Sequence, residues 1–237
     1  MKTVSKGIVL RTMDYSESSA IAKVFTHNHG LRSFLLRGVK GKRKKQAFLQ
    51  PLSLVELEYN LHPRKELITT NSIKYLEPYQ SISQHPHKTL VAFFLAEIIG
   101  EAIKSDQIDE ALFDFLHSKL LIFDLQDWNP NFHLYLLARM TRFLGFFPLL
   151  SDTPERFDME NGAFGSGAET VNHALQGEVA EQLLLLFTSQ WEDLAILKLS
   201  RVQRQTLTHH LVTYFQLHSV NMRPIKSLSI LTDVLSA

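Results

Sequence analysis

The residues 37–45, Arg-Gly-Val-Lys-Gly-Lys-Arg-Lys-Lys, are the part of this chain whose types and spacing speak most directly of chemistry: Arg37, Lys40, Lys42, Arg43, Lys44 and Lys45 put six cations into nine residues, with Gly38 and Gly41 loosening the backbone. Cations at that density neutralise phosphates and release condensed counterions, which gives salt-dependent affinity for nucleic acid whatever its base sequence. A solvated charged turn would have the same composition, so the position of the run in the fold decides its meaning. Aromatic residues that could stack on unpaired bases in the same part of the chain are Tyr15, Phe25, Phe34, Phe48 and Tyr59. Phe25 and Phe34 fall in strand-like runs whose inner face must be filled, which leaves Tyr15 or Phe48 for stacking.

The remaining constellations carry less. Eleven histidines include His85-Pro86-His87, His209-His210 and His218, but two ligands on one helix need i,i+3 or i,i+4 spacing, which adjacent histidines do not have. Helix-end or surface histidines are the reading, with no metal site. The chain has no cysteine, which excludes disulfides and every cysteine-ligated zinc or iron–sulfur centre. Residues 162–167 are glycine-rich, yet no Gly-Lys-Ser/Thr follows them and no βαβ unit surrounds them. No Gly-x-Ser-x-Gly occurs and the carboxylates are scattered. No catalytic residue is singled out, and the chain reads as a non-enzyme.

What must position the basic run are the elements on either side of it. Apolar and β-branched residues alternate with polar ones over residues 3–13, 20–26, 31–38, 53–59 and 66–76, which predicts five short strands. His27-Asn28-His29-Gly30 suits a hairpin with a positive-φ glycine. The longest connection, between the third and fourth strands, contains the basic run. Five strands with one long connection suit a small closed barrel of the OB type, because a two-layer sandwich usually needs about seven. Loops of such barrels bind single strands through basic grooves.

After Pro86 the period changes to 3.6. Leu90, Phe93, Phe94, Glu97, Ile98 and Ala102 form the stripe of a helix over 86–104. Further helices are predicted over 109–125, 130–144, 176–189 and 200–217, with Pro130 as a first-turn proline. Residues 151–167 are polar and hold Pro154, Gly162, Gly165 and Gly167, so they predict a loop or small irregular unit; residues 221–237 read as a tail. The fold class is therefore α+β and multidomain: a barrel over 1–80, then a mostly helical domain over 81–237 with an irregular insertion at about 151–170.

A net charge of +1 conceals a sharp division. Residues 1–80 hold 14 Lys and Arg against 6 Asp and Glu, hence +8, and the rest holds 11 against 18, hence −7. The basic part attracts phosphates; the acidic part favours solubility or a protein partner. Apolar runs fall far short of the roughly 20 residues that cross a bilayer, and residues 1–4 lack the pattern of a signal peptide. A cytoplasmic protein without a membrane partner is expected.

Several of these segments together resemble the RecO family of recombination mediators. Gly7-Ile8-Val9-Leu10-Arg11 with Tyr15-Ser16-Glu17-Ser18-Ser19, Val24-Phe25-Thr26 with His29-Gly30, Arg37-Gly38-Val39, and Leu49-Gln50-Pro51-Leu52 are similar to its N-terminal OB-fold. Leu144-Gly145-Phe146 resembles its central helical domain, and Arg223-Pro224-Ile225-Lys226-Ser227-Leu228 its C-terminal signature. The resemblance implies a protein that binds single- and double-stranded DNA, anneals complementary strands, cooperates with RecR and acts on DNA coated by single-strand-binding protein, without nucleotide hydrolysis. It implies a nucleoid-associated place in the bacterial cytoplasm. By position it gives Arg11, Arg32, Arg37, Lys40, Lys42, Arg43, Lys44 and Lys45 to DNA. Many members carry a four-cysteine zinc module after the Leu-Gly-Phe helix; with no cysteine here, a zinc-free remnant packed by Phe157 and Phe164 is expected, and no cofactor. Arg139 and Arg142, at i,i+3, are the candidates for the acidic, apolar-ended tail of single-strand-binding protein. The alternative is a protein-interaction adaptor with little DNA affinity of its own.

Overall fold

The computed structural model describes residues 2–39, 50–61, 65–103, 107–152, 155–166 and 172–234. Its contacts gather into two compact units, Met1–Asp127 and Trp128–Ala237. Five strands, β1 (Lys2–Asp14), β2 (Ala20–Thr26), β3 (Gly30–Leu36), β4 (Leu54–Asn60) and β5 (Leu67–Glu77), close into a barrel of order β1-β2-β3-β5-β4, with β3–β5 as the parallel pair. Closure removes the exposed edges that an open five-stranded sheet would leave. Period-two alternation turns Val9, Ala20, Ala22, Val24, Phe34, Leu36, Val55, Leu57, Tyr59 and Ile68 into one buried cluster. Phe25 is buried too, but on the outer face of β2, where its ring meets Phe113 at 5.7 Å. Gly30 opens β3 at φ +64°, and a Cβ there would collide with the carbonyl of Gln107, so the turn after β2 tolerates only glycine.

Two helices complete this unit. In α1 (Pro86–Ala102) the His85 ring accepts from Lys88 N–H, and α2 (Glu110–Leu125) is capped by Asp109, which accepts from Leu112 N–H at 2.8 Å. The buried face of α1 includes Val91, Phe94, Leu95, Ile98 and Ile99, whereas Phe93, assigned to the inner stripe by periodicity, is exposed. A helix that is apolar nearly all round offers no single stripe to read; its neighbours choose the face.

Within the first unit, Met1–Asp127, a buried polar hub ties the barrel exit to both helices. The Asp124 carboxylate accepts from the N–H groups of Gln80, Ser81 and Ile82 at 2.7, 2.8 and 3.0 Å. Lys88, equally buried, donates to Ser81 Oγ at 2.7 Å and to the carbonyls of Asp124 and Gln126 at 3.0 and 2.6 Å. Burial lowers the Lys88 pKa and the nearby Asp124 and Asp127 oppose that shift. Tyr79 anchors the other side, donating to the Leu52 carbonyl at 2.7 Å.

The second unit contains α3 (Phe132–Leu144), α4 (Glu178–Thr188), a 3-10 turn (Glu192–Ala195), α5 (Arg201–His218) and α6 (Ser227–Val234). Pro130 precedes the Asn131 cap and lies outside the first turn of α3. That helix ends at Gly145, φ +83°, with Phe146 N–H bonded to the Thr141 carbonyl at 3.0 Å. The insertion is more ordered than its composition suggests: β6 (Arg156–Asp158), β7 (Ala163–Gly165) and β8 (Ala174–Gln176) form a sheet of order β7-β6-β8. Phe157 and Phe164 stack at 4.3 Å, and they do not act alone. Phe187 of α4 and Tyr214 of α5 pack on Phe157 at 5.9 and 5.3 Å, and His218 donates to the Met159 carbonyl at 2.8 Å. The segment over 221–237, read as a tail, contains a helical turn pair in α6.

Candidate nucleic-acid interface

The cations of the barrel do not share one environment. Along β1 the register shifts between Val9 and Arg11, a bulge that inserts Leu10 and restores alternation beyond it. Arg11 then pairs with Lys23 and Met13 with Ile21, on the outer face, while Thr12 pairs with the inward Ala22. The pairing extends one step past the strand, because Tyr15 N–H bonds to the Ser19 carbonyl at 3.2 Å. Arg11, Met13 and Tyr15 therefore occupy successive outward positions, about 7 Å apart at the rise of an antiparallel strand, and all three are exposed. Arg37 follows Leu36, whose partner is Ala20, so it lies beside Ser19 at the same rim; it is exposed and precedes Gly38, φ +65°.

Arg32 lies elsewhere. It pairs with Val24 and alternates with Phe34 and Leu36 on the inner face, at the opposite end of β3, about 17 Å along the strand from Arg37. Its charge, after burial, lowers the His29 pKa, and His29 Nδ1 lies 2.8 Å from the hydroxyl of the fully buried Tyr59. Arg32 is thus part of a polar plug at one barrel end, away from the Arg11–Arg37 rim. Lys40, Lys42, Arg43, Lys44, Lys45 and Phe48 lie outside the described residues.

Ion pairs mark the other side of the barrel. Lys2 meets Glu58 at 3.0 Å and Lys74 meets Glu56 at 2.8 Å, so the β1–β4–β5 surface is charge-compensated where Val4 is exposed. Such exposed pairs contribute about 0–1 kcal/mol each to stability, but they do cancel local field. Lys23 is held by the Gly100 carbonyl at 3.1 Å. Arg11 and Arg37 form no ion pair with a described residue.

In the second unit Arg139 donates to the Phe187 carbonyl at 3.2 Å and to Gln190, and Arg142 stacks over Phe147 at 3.9 Å. Among the described residues neither is paired with a carboxylate, so both guanidinium groups keep capacity for one. The histidine clusters are dispersed into structural tasks. His85 caps α1, His218 serves the β6–β7 turn, and His133 lies buried with Nε2 2.9 Å from Thr208 Oγ1. Burial first, then Arg204, drives the His133 pKa down to about 3. No group of three or more His, Asp or Glu side chains that could hold a metal occurs among the described residues, and no described helix is long and apolar enough to cross a membrane.

Comparison with known proteins supplies the identity. Residues 1–79 match the model of the family "Recombination protein O N terminal", and residues 83–229 match "Recombination protein O C terminal". The chain belongs to the RecO family. It is similar to the DNA repair protein RecO of Phocaeicola vulgatus, 32% identical over 99% of both chains, and to that of Bacteroides fragilis, 32% identical over 98% of both. RecO of Flavobacterium johnsoniae is 32% identical over 100% of both chains. The RecO N-terminal match spans the five-stranded barrel, and the C-terminal match spans α1 to α5 and the small sheet. The sequence does not mark the Asp124–Lys88 hub or the Phe187–Tyr214 cover on the small sheet.

Proposed function

We propose that this chain is a non-enzymatic recombination mediator in DNA repair. It binds single- and double-stranded DNA through the barrel, anneals complementary strands, and with RecR helps load recombinase on DNA coated by single-strand-binding protein. The observation that supports the reading best is the barrel rim. On a closed barrel of RecO type, Arg11 and Arg37 stand without ion-pair partners among the described residues, where the chain runs into a connection bearing five further cations over 40–45. Lys40, Lys42, Arg43, Lys44 and Lys45 would neutralise phosphates of either kind of strand. Arg32 is the weakest member of the set, since its side of β3 faces the plug. Arg139 and Arg142, with apolar Phe147 beside them, fit the acidic tail of single-strand-binding protein. No cofactor enters this scheme.

Fluorescence anisotropy of labelled single-stranded and duplex DNA across a salt series, followed by an annealing assay, tests the proposal. Binding that weakens steeply with salt, together with faster annealing, is the expected result. Tight association with RecR but no DNA binding at low salt would replace the mediator by the adaptor.

A further inference from the structure

We infer that Tyr15 is a base-stacking platform that makes the barrel rim favour unpaired strands over duplex. The inference rests on the reading of the barrel as a DNA-binding surface and adds to it a residue that discriminates strand type. Single exposed apolar side chains are ordinary on protein surfaces, and what sets Tyr15 apart is its setting. Most of the outer surface of β2 is spoken for: Phe25 lies under Phe113, Lys23 is tied to the Gly100 carbonyl, and Ile21 is half-buried. Where this cover ends, β1 presents Arg11, Met13 and Tyr15 in succession on one face, with Met13 49% and Tyr15 59% exposed.

The Tyr15 and Ser16 N–H groups both bond to the Ser19 carbonyl, at 3.2 Å each, which holds the ring's backbone in a tight hairpin and limits the entropy lost when a base docks. Arg37 sits across Ser19 at the same rim. An aromatic face on the same rim as two arginines suits a single strand whose base stacks while neighbouring phosphates are neutralised. Met13 supplies a polarizable neighbour for the base edge. The step of about 7 Å between Arg11, Met13 and Tyr15 is close to the spacing of nucleotides in a stretched single strand. In a duplex the base faces are already stacked and unavailable, so only the arginines would contribute there. The exposed Val4 at the far end of the same strand has no comparable setting, because the charges around it are paired.

The test compares a labelled oligothymidine, the same strand built with abasic residues, and a duplex, each titrated with wild type, Tyr15→Ala, Tyr15→Phe and Arg37→Ala. Tyr15→Ala should weaken oligothymidine binding by about 5- to 150-fold, the range for losing one base–aromatic stack, and leave duplex and abasic-strand binding unchanged. Tyr15→Phe should bind like wild type, and Arg37→Ala should weaken all three ligands. Equal losses on duplex and single strand, or a wild type indifferent to removal of the bases, would overturn the stacking role while leaving the DNA-binding reading intact. Absence of wild-type binding to every ligand at low salt would overturn both.

Discussion

A buried histidine makes the second unit acid-sensitive. His133 is fully buried and its pKa is pushed down to about 3, so the folded chain holds it neutral while the unfolded chain protonates it near 6.5. Its contribution to stability is therefore present above pH 6.5 and is lost as pH falls from there toward 3, by up to about 1.4 kcal/mol per pH unit. Denaturant unfolding at pH 7.5 and 5.5 should show His133→Gln with a shallower pH dependence than wild type; parallel slopes would contradict it. Asp124 offers a second measurement at this scale. Replacement by alanine removes the acceptor of three N–H groups and a carboxylate that favours the Lys88 ammonium, which should cost about 3–5 kcal/mol by denaturant unfolding. A loss below about 1 kcal/mol, within the range of an ordinary surface change, would show that the hub is not what joins the barrel exit to α1 and α2.

Among the elements, the small sheet β7-β6-β8 has only three-residue strands, too short to persist without cover. Aromatic packing supplies that cover, through Phe157 and Phe164 against Phe187 and Tyr214. Phe164→Ala should destabilise the unit by about 3–5 kcal/mol, while Phe164→Leu, closer in volume, should cost less than half of that. Thermal unfolding of both variants checks the order. Addition of a chelator should leave the wild-type midpoint unchanged; a fall would point to a metal in this segment. Gly162 belongs to the same argument: at φ +61°, a Cβ would sit 2.7 Å from the Tyr214 hydroxyl, so Gly162→Ala should disturb the sheet's seat on α5.

For the whole molecule the decisive quantity is charge distribution. Replacing Lys42, Arg43, Lys44 and Lys45 by alanine should weaken binding to all sequences alike and flatten the salt dependence by up to about four phosphates, each worth ~0.7 in the log–log slope on a single strand. Anisotropy titrations on two unrelated sequences check this, and a loss confined to one of them would exclude a phosphate-neutralising role. Stability should barely move, within about 0.5 kcal/mol, if these side chains are exposed.

Alternation of residues within a few positions of each other was enough to read the five strands and most of the helices, because local period reports local geometry. Composition alone located the positive charge in the first 80 residues and left no cysteine for a metal site. Resemblance in short motifs was enough to name the family. Other features depend on which distant segments meet, and only the tertiary structure decided them. Phe93 faces outward because β1 packs on the other side of α1; Arg32 turns into a polar plug because its pairing with Val24 puts it on the inner face of β3; Arg156–Asp158, Ala163–Gly165 and Ala174–Gln176 become a sheet because helices further along the chain bring Phe187 and Tyr214 onto it. Burial partners separated by tens of residues leave no periodic trace, since the free energy that selects them arises only after the chain has brought them together.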